Sequence, residues 1–224
     1  MGSKERRGAR KDRSRKLSTR VPTLGYYLII TDTQETEKNY FEGLRKTIPE
    51  NLKNRLVIKV ERARTIDLIE RCKDLVSKEP QYRIPWIVLD RDQVEGFDEI
   101  IVNAVKNDIK VGWSNPCIEI WFFPYFGTMP SYIESTTCCD KFKDKFQAVT
   151  GSVYQKSDTE IYNKWNRFGN EEKALEIADQ KHRSQTSNGL LKPSEMSSTT
   201  TLYQLVGEIR EKIFNNNEGG QYGF

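Results

Sequence analysis

The chain has 224 residues, of which 36% are hydrophobic and 30% charged, with a formal net charge of +4. That length suffices for one sizeable core, and the first apolar stretch, Tyr26 to Ile30, is far too short to cross a membrane. The basic N-terminus leads into no apolar signal region and no small-residue cleavage site, so the expectation is a soluble, cytoplasmic protein.

Residues 1–20 hold Lys4, Arg6, Arg7, Arg10, Lys11, Arg13, Arg15, Lys16 and Arg20 against Glu5 and Asp12, a local charge of +7 that leaves −3 on the other 204 residues. A segment this basic and this poor in apolar residues has nothing to bury against the entropy of ordering, so residues 1–22 are expected to form a disordered arm. Its chemistry suits phosphate contacts that attract nucleic acid without reading sequence. A solubilising tail is the plainer alternative.

Gly25–Asp32 (GYYLIITD) is a nearly continuous apolar run rich in β-formers, the pattern of a strand buried on both faces, and it ends at Asp32. Thr33–Ile48 then carries Tyr40, Phe41, Leu44 and Ile48 at helical spacing, closed by Pro49. Leu56–Val60 is a second strand, and Asp67–Val76 a second helix with Ile66, Ile69, Cys72 and Val76 on one face. Ile84–Asp90 is a third strand that also ends in aspartate; Phe97–Val105 reads as helix and Ile109–Trp113 as a fourth strand. Strands alternating with helices of this length predict an α/β fold, a parallel sheet with right-handed crossovers flanked by helices. Sites in such folds gather at the C-terminal edge of the strands. Three of these strands end in polar residues of a catalytic type: Asp32, then Asp90 with Asp92, then Ser114 with Asn115.

From Pro116 the alternation stops. Cys117–Phe123 is expected to be a short buried helix or strand, and Phe142–Val149, Asp158–Phe168 and Glu171–Lys181 to be helices. Ser184–Ser198, polar and interrupted by Gly189 and Pro193, reads as an exposed loop. Leu202, Leu205, Val206, Ile209 and Ile213 keep helical spacing behind a Ser/Thr-rich cap at Ser197–Thr201. The expected division is therefore one folded unit over 23–214, helical from about 138, and an Asn/Gly-rich disordered tail over 215–224.

Cys72, Cys117, Cys138 and Cys139 form no CxxC pair, and His182 is the single histidine. A zinc site would need three or four thiolates from unrelated segments, so reduced thiols are expected. Trp86, Trp113 and Trp121 lie on apolar segments and are expected in the core rather than stacked on bases. His182, between Lys181 and Arg183, reads as a surface residue or a phosphate contact.

The acids carry the chemistry. Asp90 and Asp92, two apart just past a buried strand, project from one side of an extended chain, and hard cations such as magnesium need oxygen ligands of this kind. Helix capping or a turn would explain them as simply. Asp32 can equally be an N-cap, and Glu35 and Glu37 fall in a first helical turn, where the dipole favours acids. Glu119 is the anomaly: a carboxylate within the apolar run Cys117–Trp121 must be paired, protonated or metal-bound.

Together these segments resemble one family. Thr31–Phe41 (TDTQETEKNYF) resembles the RloB-like pattern of a strand-ending acid followed by TE, two residues and YF. Val88–Asp92 matches its DRD element, Ser114–Trp121 (SNPCIEIW) its SNPxxExW element, and Tyr154–Asp158 resembles a later basic element. RloB-like proteins are similar to OLD-type Toprim nucleases, found beside ATPase partners in bacterial anti-phage loci. The resemblance implies a Toprim-like sheet and a Mg²⁺ (or Mn²⁺) site held by Asp32, Asp90, Asp92 and Glu119. It implies catalytic roles for Asp32, Glu119 and Lys156, the last stabilising charge on the phosphate, and places Glu37, Ser114 and Asn115 in motifs. It further implies a nuclease of abortive infection that cuts DNA or RNA, including tRNA, beside an ABC/SMC-type (RloA-like) ATPase, and it is compatible with a homo-oligomer. The alternative within the same system is a catalytically weakened nucleic-acid-binding or regulatory subunit. Two positions depart from the family pattern: Asp32-Thr33 stands where glutamate and glycine are usual, and Tyr125-Phe126 where histidine and phenylalanine are frequent.

Overall fold

The computed structural model describes residues 22–32, 35–78, 83–92 and 94–217. Along these the chain runs β1 (Gly25–Thr31), α1 (Thr36–Lys46), β2 (Leu56–Arg62), α2 (Leu68–Lys78), β3 (Arg83–Asp90), α3 (Phe97–Lys106) and β4 (Lys110–Asn115). It continues with α4 (Glu119–Phe122), α5 (Ser135–Thr150), α6 (Ile161–Phe168), α7 (Glu171–Ser187), β5 (Thr199–Thr200) and α8 (Leu202–Asn216). The fold is α/β. The sheet order is β2-β1-β3-β4-β5; the first four strands are parallel and β5 pairs antiparallel with β4.

Successive side chains of a strand point to opposite faces, and both faces of this sheet are covered. Tyr27, Ile29, Trp86 and Val88 pack into one core with α1, α4, α5, α6 and α8. Leu28, Ile30, Ile87 and Leu89 pack into a second core with Leu68, Cys72 and Leu75 of α2, Phe97 and Ala104 of α3, and Trp113. This two-sided burial is why the strands read as continuous apolar runs rather than alternating ones.

The order places β1 between β2 and β3. The chain leaves β1 toward one side and returns past it to the other, so the strand order reverses between β1 and β3. A crevice opens beyond the C-terminal ends of such a pair. Thr31 is in register with Val88, so Asp32, just past β1, and Asp90, the last residue of β3, close neighbouring strands.

Several expectations change. Helix α1 begins at Thr36 with Glu35 at its N-cap position, so Asp32 does not cap it. A single 3₁₀ turn, Thr65–Asp67, precedes α2 and leaves Ile66 82% exposed, off the apolar face assigned to it. The segment expected as an exposed loop over Ser184–Ser198 is instead α7 to Ser187, a 3₁₀ turn at Pro193–Glu195, and buried Met196 and Ser198. Met196 packs into the second core and Ser198 Oγ bonds to the Tyr132 backbone, while the Ser/Thr-rich run read as a cap also supplies β5. Thr200 Oγ1 donates to Trp113 O at 2.9 Å and accepts from Leu202 N at 3.1 Å, so Thr200 both edges the sheet and starts α8. His182 is half-buried rather than a surface contact, bonded through Nδ1 to Tyr203 Oη at 3.0 Å and edge-on to Trp113. Trp86, Trp113, Trp121 and Trp165 are all buried. Helix α8 extends to Asn216, two residues beyond the expected boundary. Among the described residues no helix is long and apolar enough to cross a membrane.

Candidate functional site

At the C-terminal ends of β1, β2 and β3 lies an open cleft of about 870 Å³. Asp32, Glu37, Arg62, Thr65, Asp90, Asp92, Cys117, Ser135, Cys139, Lys143 and Lys156 are among the residues that line it. The floor is built by backbone bonds between the two motif loops: Arg91 N donates to Ser114 O at 2.8 Å, and Asp92 N to Pro116 O at 2.9 Å. These bonds fix the DRD turn over the start of α4.

Each acid has a definite setting. Asp32 Oδ2 accepts from Thr65 Oγ1 at 3.3 Å, while its Oδ1 is buried with no partner among the described residues. Asp90 Oδ2 accepts from Ile118 N at 2.9 Å, and its Oδ1 is likewise buried and unpartnered. Asp92 is exposed, and its Oδ1 accepts from Ser135 Oγ at 2.5 Å. Glu37 is only 2% exposed at the start of α1, far from the solvated first-turn acid its position suggested.

Burial and mutual repulsion set the protonation of this group, because both disfavour the charged form. Burial pushes Asp32 up to about 6, with the Asp92 charge adding to the rise. Burial, then the charge of Asp32, pushes Glu37 up to about 8. Asp90 is held well above the carboxylate range by burial and by the charges of Glu37, Asp32 and Glu119.

Glu119 differs. It is completely buried, and although burial works against its charge, Lys156, the Cys117 thiol and a backbone N–H hold its carboxyl below the usual range. Its Oε1 accepts from Lys156 Nζ and from Tyr154 Oη, both at 3.1 Å; Oε2 is enclosed without a partner. Glu119 is absent from the cleft lining and stands behind it, with half-exposed Lys156 reaching from Glu119 to the cleft. Among the described residues, the potential metal ligands found within 4.8 Å of one another are Cys117, Glu119 and Cys139. The aspartates lie outside that group.

Ser114 and Asn115, read from the sequence as catalytic in type, do not line the cleft. Ser114 Oγ lies 3.1 Å from Thr200 Oγ1, and Asn115 Nδ2 donates to the carbonyls of Pro193 and Ser194 at 3.1 Å, so both tie β4 to the segment leading into β5. The arm cations Arg6, Arg7, Arg10, Lys11, Arg13, Arg15, Lys16 and Arg20 lie outside the described residues. Arg62, Thr65, Ser135, Cys139 and Lys143 were not anticipated. Arg62 ends a strand, but a surface cation there carries no chemical signature of its own, whereas Ser135, Cys139 and Lys143 reach the cleft from α5, which no local pattern ties to β3.

Asp32 and Asp90 suit a hard divalent cation, since each offers an enclosed oxygen with no hydrogen-bond partner among the described residues. A search of curated proteins and a search of solved structures each return no match. A family model described as RloB-like protein matches residues 27–209. That span holds the strand-ending acids, the DRD turn, Glu119 and Lys156 in one continuous match over most of the chain, which therefore belongs to the RloB-like protein family.

Proposed function

We propose that the chain is a metal-dependent nuclease of Toprim type, an effector of bacterial anti-phage defence that hydrolyses phosphodiester bonds in DNA or RNA. The observation that carries this is the pair Asp32 and Asp90 at the switch point of the sheet, each with an enclosed oxygen that has no partner among the described residues, and close enough for the Asp32 charge to act on Asp90. Mg²⁺ or Mn²⁺ would be held by Asp32, Asp90 and Asp92, with Glu37 beside them. When bound, such an ion supplies Lewis-acid polarisation of a phosphoryl oxygen.

The chain's own residues supply the rest. Arg62, Lys143 and Lys156 put cationic groups on the cleft wall, where they attract a phosphate and offset charge that builds on it during transfer. The Glu119 carboxylate fixes Lys156 in place. Glu37, pushed up to about 8, keeps a proton beside the aspartates at neutral pH. The basic arm of residues 1–22 adds sequence-independent phosphate contacts to the folded unit of 23–214. A cytoplasmic setting, self-association, and an ABC/SMC-type ATPase that restrains or triggers the enzyme complete the reading.

Asp32 favours a second reading. It stands where the family pattern has glutamate, one methylene longer, and Thr65 already occupies its Oδ2. A chain with a weakened first acid would serve as a nucleic-acid-binding or regulatory subunit. Plasmid DNA and total tRNA incubated with the full chain, with and without the ATPase and with Mg²⁺ or EDTA, separate the two. Mg²⁺-dependent cleavage that Asp90→Ala abolishes supports the nuclease. Binding without cleavage under every partner condition supports the second reading.

A further inference from the structure

We propose that Cys117, Cys139 and Glu119 bind one thiophilic divalent cation of the zinc class, in a site separate from the aspartates of the same cleft. Cys117 lies just ahead of α4, and Cys139 is one turn into α5. The two sulfurs are 3.8 Å apart, and a carboxylate oxygen of Glu119 completes a triangle in which no pair exceeds 4.8 Å.

The sulfur separation discriminates between uses of the pair. With zinc–sulfur bonds of about 2.3 Å, two thiolates on a tetrahedral ion stand about 3.8 Å apart. A disulfide needs about 2.05 Å. The pair already has the spacing of a tetrahedral edge, whereas a bond would require the two sulfurs to approach by nearly half that distance.

Glu119 gives the second observation. It is fully buried and its Oε1 is occupied by Tyr154 and Lys156, yet Oε2 has no partner. A buried carboxylate oxygen left unsatisfied is costly, and a cation held with the two sulfurs removes that cost. The charges also close: two thiolates, one carboxylate and a divalent ion sum to −1, and the Lys156 ammonium beside Glu119 returns the site to neutrality. Without a cation, Cys117 Sγ lies 3.8 Å from Cys139 Sγ and from Ser135 O and interacts with the Glu119 carboxylate, weak contacts that a thiolate could exchange for a metal bond.

Selectivity follows from the donors. Thiolates favour zinc-class ions, whereas the all-oxygen set of Asp32, Asp90 and Asp92 favours magnesium or manganese. Both cysteines line the cleft, so an ion has a route in, and three protein ligands leave a fourth position to an exogenous donor. Cys138, next in sequence to Cys139, is wholly buried in the aromatic core and is not a member of the triangle.

Anaerobic titration of the full chain with Co²⁺, followed by Zn²⁺, tests the site by absorbance. The expected result is one Co²⁺ per chain with a thiolate-to-cobalt charge-transfer band, abolished by stoichiometric Zn²⁺. Cys139→Ala, at a partly exposed position, and Cys117→Ser each remove the band, Glu119→Gln weakens Co²⁺ binding, and Cys138→Ser keeps both. Circular dichroism identifies any variant that fails to fold, and Cys139→Ala decides if Cys117→Ser does. Absence of the band in the folded wild-type chain overturns the proposal, as does a band that survives Cys139→Ala. Formation of a Cys117–Cys139 disulfide in air with no cobalt band also overturns it and makes the pair a redox couple. Because the readout is absorbance, it stands apart from whether the chain cuts nucleic acid.

Discussion

Asp32 and Asp90 close adjacent parallel strands, and the Asp90 carboxyl is raised above its ordinary range by burial and by the charges of Glu37 and of Asp32 beside it. In the metal-free protein this neighbourhood makes stability depend on pH with a fixed sign. An acid whose pKa is raised on folding binds more protons folded than unfolded, so stability falls as pH rises above the unfolded pKa and levels off past the folded one. The window runs from the ordinary 3.8 to about 6 for Asp32 and from 4.5 to about 8 for Glu37. Mg²⁺ binds the ionised acids, so its stabilisation grows across the same range. Thermal melts in EDTA and in Mg²⁺ check this: the difference in Tm widens steadily between about pH 5 and pH 8. A difference that is flat with pH would remove these acids from the metal site.

Asp90→Asn separates stability from function. Asparagine keeps an acceptor for Ile118 N but removes a carboxyl that burial and the charges of Glu37, Asp32 and Glu119 push above its ordinary range, a cost to folding that is present at pH 8. The variant is expected to gain roughly 1–2 kcal/mol at pH 8 without metal, the usual scale for relieving a functional-site conflict. It is also expected to lose at least about 100-fold in Mg²⁺-dependent cleavage, the scale of removing one group that stabilises transition-state charge. Urea melts and initial rates on the same preparations measure both. A loss of stability would mean that Asp90 serves the fold.

The reach of the sequence differs from residue to residue. The parallel strands announced themselves because burial on both faces gives uninterrupted runs such as Leu28–Ile30 and Ile87–Leu89, and the acids ending those runs mark the crevice. Glu37 gave no such sign, since an acid in a first helical turn is ordinary on a solvated helix and only the packing of α1 over the crevice buries it. The nearness of Cys139 to Cys117 was invisible because 22 residues separate them and the third member of their triangle is a carboxylate, not a thiol or histidine. Strand β5, only two residues long, carries no periodicity at all and exists because β4 presents an edge to Thr199 and Thr200.

Glu119 and Lys156 form an ion pair with unequal surroundings, the carboxylate fully enclosed and the ammonium half-exposed. Removing the cation alone leaves a buried charge held by Tyr154, the Cys117 thiol and a backbone N–H but by no opposite charge beside it. Lys156→Met is therefore expected to cost about 1–3 kcal/mol, less than a fully enclosed pair because water reaches Nζ. Glu119→Gln/Lys156→Met recovers much of that loss, since the amide carries no charge to desolvate. Chemical denaturation of the two single variants and the double variant closes the cycle. Strictly additive losses would show that the two side chains do not act as a unit.

Two glycines set how closely helices approach the sheet and each other, and they differ in what a methyl group would strike. At Gly43 on α1 an added Cβ lies 2.3 Å from Tyr162 Cβ, near the stem of a fully buried tyrosine on α6. At Gly112 on β4 the nearest atom is Leu202 Cδ2 at 2.7 Å, the far end of a side chain that can rotate. Overpacking is relieved by whatever can move, so the rigid contact costs more. Gly43→Ala is expected to lose about 2–3 kcal/mol and to separate α1 from α6. Because Glu37 sits at the start of α1, the same variant disturbs the crevice and lowers Mg²⁺ affinity. Gly112→Ala costs about 1 kcal/mol and leaves Mg²⁺ affinity unchanged, because neither Gly112 nor Leu202, the first residue of α8, lines the cleft. Urea titrations with and without Mg²⁺ give both quantities, and equal costs at the two positions would mean that the α1–α6 contact yields as readily as a leucine methyl.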